Sequence, residues 1–600
     1  MQASTASESL AAAAALRTAS WRGGPLSAGS APPRALAHAG SPTLQSRAAV
    51  DPRCAPTPRR SREGLQSPPQ APGLLAAAAV ALVAGRRSRC DGVQARGRHS
   101  RHLRLTQRRS GAGDAVFATI LSKQKNWRAA IAEIKAEAKY LLRSRPKSTW
   151  DFGVAYITGY EGTSVVDVSQ ALDKELGTQG ALLGVAMDGS GGVCSTGQRG
   201  EAAAGKADGV MLTAVQLPDE NEPAKGLAKA QPFFIGKNEM LEISQLVCRI
   251  QGQTRVRGAA DPPTPRGWRR YLGAEDVDAP PRGIILFVDP QATKYTVSSV
   301  LASLDLAFPD AVKVGGVTAD LPPSAARLAA AKDGQYFARD QPGIAGLILP
   351  SSCSLHSVVT PGSVPVGSEL RVTLADGQVV QEINDISATK ALDEVGKEAG
   401  PLERLLIERS GFLLGLEAPE NLDPSKSKEY DDLWGSSTRL PSYSALAKQA
   451  SQSDWLVRTI DPLPDGTIVV QREDLKRVPP RVGPAWLRCQ LHVADRRRAQ
   501  KELQLMIQRY LGARLTLPRA TPPIGAFVNA CSSWSSQEDG EGGEVGIEAL
   551  REVFGEKLPI SRAVTHGEVG PTGVALGGVM SRRTARLGHT CTLGFLSYEP

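Results

Sequence analysis

Phe152-Gly-Val-Ala-Tyr-Ile157 is an unbroken apolar run, Val165 to Leu176 carries helical spacing, and Ala181-Leu-Leu-Gly184-Val-Ala-Met-Asp188 is a second apolar run that empties into Gly189-Ser190-Gly191-Gly192. Short apolar runs bounded by glycine read as buried strands, and the stretch between them reads as a helix closed by Gly177. The same order returns. Gly283 to Val288 is a strand, Thr296 to Phe308 a helix, and Ala311-Val-Lys-Val-Gly315-Gly316 a strand ending at glycine. A looser third copy runs from Gly525-Ala-Phe-Val528 through a helix at Ile547 to Phe554 and on to Ile560-Ser-Arg-Ala-Val564 before Gly567. Strand–helix–strand units with short connections argue an α/β to α+β fold of mixed sheets with flanking helices.

Outward from these units the patterning changes. Trp127, Ile131, Ile134, Ala138 and Leu141 mark one face of an upstream helix. Between the second and third copies the chain is more strand-like, with short strands at Ile344 to Leu349, Leu370 to Leu374 and Thr467 to Val470. Leu487, Cys489, Leu491 and Val493 alternate with Arg488, Gln490 and His492, which puts His492 on a solvated face. Asp495 caps a following helix whose apolar stripe runs from Ala499 to Leu511 and stops at Gly512. Residues 218–236, 256–280 and 418–450 are polar, proline-bearing or charge-rich and read as surface insertions.

Charge divides the 600 residues unevenly. The net charge of +10 comes from residues 1–110, which hold 17 Arg, no Lys and four acids, leaving 54 basic and 57 acidic groups for the rest. A nucleic-acid binder needs its basic surface within the fold, so that class is excluded. Eight cysteines with no CxxC pair exclude a disulfide scaffold and a zinc ribbon. No HExxH or EF-hand loop is present, so no metal site is expected. The longest apolar run, Leu74 to Ala84, is too short to span a bilayer. Residues 1–112, acid-poor and rich in Arg, Ala, Ser and Pro, read as a disordered presequence. A hydrophobic stretch followed by an Arg-rich tract resembles the two-part presequences of secondary plastids, so a plastid address is expected, with mitochondrial or cytoplasmic location as alternatives.

Several phrases, in this order, resemble the FIST module, a paired N-terminal and C-terminal domain of bacterial signal-transduction proteins that is attached to an F-box in some eukaryotes. They are Leu183-Gly184-Val185, Val314-Gly315-Gly316, Gly343 to Leu349, Pro365-Val366-Gly367 and Arg371-Val372-Thr373. Val380 to Asn384, Trp455 to Arg458, Asp465 to Ile468 and Thr565-His566-Gly567-Glu568-Val569-Gly570-Pro571 complete the series. The last is similar to the family's Gly-Glu-Ile-Gly-Pro motif. The family's Phe-Ser-Cys, Gly-Arg-Gly type segment is replaced here by Val528-Asn529-Ala530-Cys531-Ser532-Ser533-Trp534, without its Arg. The resemblance implies a FIST N-terminal-like domain at 113–352 and a FIST C-terminal-like domain at 353–600. It further implies a non-enzymatic sensor of a small polar metabolite such as an amino acid, with no cofactor and with a protein partner supplying the output.

The candidate ligand contacts sit at strand ends, where α/β folds place functional groups. Asp188, Gly189 and Ser190 form one wall, since glycines let a ligand approach the backbone. Thr318 and Asp320 hold the same place in the second unit. In the third, Asn529 and Cys531 end one strand, and His566, Gly567 and Glu568 end the next. Glu568 could accept an ammonium group, or hold the turn by accepting backbone N–H bonds. Two rival readings remain. One is an interaction scaffold related to F-box FIST proteins. The other is a hydrolase with Cys531 or Ser532 as nucleophile, which requires a base within reach.

Overall fold

The computed structural model describes residues 115–599, except for 161–162, 188–192, 196–208, 219–226, 241–271, 273–279, 295–296, 320, 322–325, 333–334, 338–341, 418–454, 471–474, 479–486, 518–520, 533–545, 556–557 and 579–583. The expected presequence, and the proposed contacts Asp188, Gly189, Ser190 and Asp320, therefore lie outside the described residues. So do most of the expected insertions at 256–280 and 418–450.

The first unit comprises β1 (Val116–Ser122), α1 (Trp127–Leu142), β2 (Phe152–Thr158), α2 (Val165–Leu176), β3 (Leu182–Ala186), β4 (Val193–Ser195) and β5 (Gly209–Gln216). Asn126 caps α1 by accepting the Arg128 N–H at 2.8 Å, and Ser164 caps α2 by accepting that of Val166 at 3.1 Å. The second unit has β6 (Gln231–Gly236), β7 (Gly283–Val288), α3 (Val297–Ala307), β8 (Val312–Val317), β9 (Leu328–Lys332), β10 (Gln335–Phe337) and β11 (Gly343–Ile348). The third opens with β12 (Cys353–Pro361).

An insertion interrupts that third unit. It holds β13 (Ser363–Gly377), β14 (Val379–Ile383), β15 (Ile386–Ser387), α4 (Ala388–Glu398), α5 (Pro401–Ser410), β16 (Leu413–Glu417), β17 (Trp455–Pro462), β18 (Ile468–Val470), β19 (Leu475–Val478) and β20 (Leu487–Ala494), with the strands in one eight-stranded sheet. The unit then resumes with α6 (Arg496–Arg514), β21 (Pro523–Cys531), α7 (Ile547–Phe554), β22 (Ile560–Thr565), β23 (Glu568–Pro571), β24 (Val574–Ala575), β25 (Thr584–Leu587) and β26 (Thr590–Tyr598).

Each unit builds its sheet in the same way. A parallel pair joined by a helix (β2–β3, β7–β8, β21–β22) forms the middle, and the unit's last strand returns between its first strand and that pair. The order is β1-β5-β2-β3-β9-β10 in the first sheet, β6-β11-β7-β8-β23-β25 in the second and β24-β12-β26-β21-β22-β4 in the third. The far edge of every sheet is thus supplied by another unit. The first lends β4 to the third, the second lends β9 and β10 to the first, and the third lends β23 and β25 to the second. This cyclic exchange crosses the sequence boundary expected at 352. The inner faces of the three sheets share one core, with Tyr156, Phe287 and Phe527 among its members.

Three expectations need correction. Residues 231–236 are a core strand, with Phe233 and Ile235 buried, although Gln231 and Pro232 give the stretch a loop-like look. The helix after Asp495 continues through Gly512 to Arg514, since a glycine inside a helix costs only about 1 kcal/mol. His492 is buried, not solvated. An added Cβ at Gly415 on the neighbouring strand would lie 2.6 Å from its Nε2, so it is this glycine that makes room for the ring. Ser363 Oγ lies 3.2 Å from Nδ1, and burial holds the imidazole's pKa down to about 4.

Candidate functional site

Where each unit passes a segment to its neighbour, the chain must leave the end of one parallel strand and enter another sheet. For the third unit this happens at His566-Gly567. The Gly567 φ of +123° lies in a region that disfavours side chains, and Leu587 O would stand 3.0 Å from an added Cβ. The crossing is pinned to the end of β8, where His566 N–H donates to Val317 O at 3.0 Å and Val317 N–H to Gly567 O at 2.7 Å. Next to it, Ala319 N–H donates to Ala186 O at 3.2 Å, which brings the end of β3 alongside. The carboxyl ends of β3, β8 and β22 therefore meet.

Glu568, the first residue after the crossing, turns inward between the second and third sheets. Its Oε1 accepts from Thr565 Oγ1 at 2.8 Å, and its Oε2 from Thr590 Oγ1 at 2.6 Å and the Thr590 N–H at 3.3 Å. Thr565 ends β22 and Thr590 begins β26, so the carboxyl spans β21 near Cys531. Gly316 makes this possible, because an added Cβ there would lie 2.4 Å from Thr565 Cγ2. Glu568 is 0% exposed, and burial pushes its pKa up to about 8 against the opposing pull of the two threonines and Arg586. The thiol of Cys591 is pushed up to about 12, first by its own burial and then by the nearby Glu568 charge.

The surroundings are polar but incompletely satisfied. Thr592 and Asn529 face one another in the ladder one row below Thr590 and Cys531. Thr592 Oγ1, Asn529 Oδ1 and Thr318 Oγ1 are all buried with no hydrogen-bond partner, a state that costs roughly 1–3 kcal/mol per group. His566 and Arg586 are the partly exposed side chains beside them.

Six of the ten expected contacts thus come together: Thr318, Asn529, Cys531, His566, Gly567 and Glu568. Cys531 is 8% exposed, and among the described residues no group of His, Cys, Asp and Glu could hold a metal ion. Sequence reasoning missed Thr565, Thr590 and Thr592. Thr590 and Thr592 signal themselves as a hydroxyl at alternate positions of a strand, which β-branched residues produce in any sheet, while Thr565 opens the His566-Gly567-Glu568 phrase.

The protein is thus an α+β fold with a buried polar group, Glu568, where three strand ends converge. The FIST N domain model matches residues 151–386, from just before β2 into the inserted sheet. Those residues are similar to a FIST N domain, whose family is one of sensory signal-transduction modules. No curated protein matches the chain. Among the described residues, no helix is long and apolar enough to cross a membrane.

Proposed function

We propose that the chain is a non-enzymatic sensor that binds a small polar metabolite, an amino acid being the leading candidate, at the centre around Glu568. The three buried, unpartnered groups Thr318 Oγ1, Asn529 Oδ1 and Thr592 Oγ1 carry this reading, because a polar ligand would satisfy them. An ammonium group beside Glu568 would also draw that carboxyl into its ionised form. Residues 353–600 act as the FIST C-terminal-like half, since they supply Glu568 and its threonine partners. Ligand contacts favour one arrangement of the shared strands, and a protein partner reads the outcome. Residues 1–112 serve as a plastid-targeting presequence, which a fluorescent fusion of that segment would test by its location.

A thermal-shift screen of the full chain against amino acids and central metabolites tests the sensor. A ligand of the folded state alone raises stability by roughly 2.7 kcal/mol at a hundredfold excess over Kd. The gain should vanish in Glu568→Gln. A flat screen with folded protein favours the scaffold reading, which one observation supports. Helix α5 buries none of its residues, leaves Leu402 and Leu405 exposed, and borders a cleft of about 440 Å³ with Leu392, Ile407 and Phe412 in its walls.

A further inference from the structure

The outer face of the third sheet, away from Glu568, holds a second set of buried polar groups. His356 of β12 lies opposite Phe595 of β26. Tyr510 of α6 stacks on Phe595 with ring centroids 4.3 Å apart and meets the His356 ring at 5.9 Å. Arg514 follows Tyr510 by one helical turn on the same face. It lies against the Tyr510 hydroxyl without reaching hydrogen-bond geometry.

The His356 ring fixes its own tautomer. Nδ1 accepts the Gly577 N–H at 3.1 Å, so the proton of the neutral imidazole sits on Nε2. Neutral it is, because burial first, and then the charges of Arg514 and Arg282, hold its pKa down to about 4. Nε2–H is therefore a donor, and it is buried with no acceptor. The Arg514 Nε and Nη1 groups and the Tyr510 hydroxyl are buried and unpartnered as well. His356 and Tyr510 are 1% and 0% exposed, so solvent does not relieve them.

The charge is unbalanced in the same sense. Arg282 Nη1 donates to Glu599 Oε2 at 2.5 Å, which leaves one positive charge in excess among Arg282, Arg514 and Glu599. Nitrogen donors that cannot accept, together with excess positive charge, would repel a cation and leave a neutral ligand's donors unmet. They suit a group that only accepts and carries negative charge. Arg514 is half-buried at the carboxyl end of α6 beside the exposed Leu515, which gives such a group a way in.

We propose that His356, Tyr510 and Arg514 form a binding site for a compact oxyanion, the carboxylate or phosphate group of a small ligand. It is distinct from the centre around Glu568: Phe595 and His356 face α6, whereas Thr590 and Thr592 face the other two sheets.

Calorimetric titration of the full chain at pH 7 with inorganic phosphate or with acetate, in matched chloride, tests it. The expected result is saturable binding of one of them; phosphate alone assigns a phosphate group, and acetate alone a carboxylate. Arg514→Gln should weaken that binding by about tenfold or more, through loss of charge-assisted hydrogen bonds. Tyr510→Phe keeps the ring stacked on Phe595 and should weaken it a few-fold. Saturable binding of neither anion overturns the proposal, as does wild-type affinity in Arg514→Gln. Should that variant not fold, unchanged affinity in Tyr510→Phe overturns it. Loss of metabolite binding in Glu568→Gln with anion binding intact would keep the two sites separate.

Discussion

Two of the exchanged segments occupy matching places and are made differently. In the first sheet, Ala329 and Leu328 of β9 lie opposite Gly184 and Val185 of β3. In the second, Val569 and Glu568 of β23 lie opposite Gly315 and Gly316 of β8. One crossing puts a buried leucine against a valine, and the other puts a buried glutamate against a glycine. Since Leu328 serves in the same position, the architecture does not demand a carboxyl at residue 568. What the contrast teaches is that Glu568 and Gly316 form a departure from the apolar rule of the shared core, where an unpaired carboxyl is costly to bury.

The anchors differ too. Asp305 of α3 accepts from Thr584 N–H at 2.8 Å and Oγ1 at 2.7 Å, which fastens β25, and pairs at 2.9 Å with Lys313, itself fully buried. In the first sheet the described residues place the Tyr336 hydroxyl of β10 near Asp173 of α2, and Ala186 N–H donates to Arg327 O at 2.8 Å just before β9. Asp305→Ala should therefore have the largest effect. It strands a buried ammonium and frees β25, so a loss of about 3–5 kcal/mol in denaturant unfolding is expected. A loss under 1 kcal/mol would mean that the two segments are held alike.

Next comes Gly316→Val, which copies Val185 into the second crossing. It should cost about 1–3 kcal/mol by driving Thr565 away, and Glu568→Leu in the same chain should recover part of that. Strict additivity of the two changes would argue against a shared site.

Titration of Glu568 gives a third test. Its folded pKa is raised from the ordinary 4.5 to about 8. Wild-type stability from this group is therefore fully present below about pH 4.5 and is lost as pH rises through 8. Glu568→Gln should match wild type near pH 4 and exceed it at pH 9, by on the order of 1–3 kcal/mol. Parallel pH profiles would place the carboxyl in contact with water. The smallest effect belongs to Tyr336→Phe, under about 0.5 kcal/mol in the same unfolding measurement, because the buried hydroxyl reaches no hydrogen-bond geometry.

Much of this frame was legible in the residues. Gly184 and Gly315 sit in strands at matching places, and the three strand–helix–strand runs stand where periodicity put them. The exchange was not legible, because β4, β9 and β23 are short and pair with strands far away in the chain. Local patterning reports which face of a segment is buried, not which sheet buries it. At the site, the strand-end rule singled out Thr318 and His566 to Glu568, which the structure brings together at the end of β8. The threonines that hold the carboxyl stand at the end of β22 and the start of β26, but a strand takes Thr or Val alike, so their residue type did not single them out.

The passing of strands from unit to unit has a consequence for any attempt to divide the chain. A fragment covering only the matched residues 151–386 would lack β1, β23 and β25, leaving raw edges on two sheets, while its own β4 would have no strand to join. Such edges invite aggregation. The three sheets should instead melt in a single transition. Refolding should be slow, because the last pairing to form closes a circle between residues hundreds of positions apart.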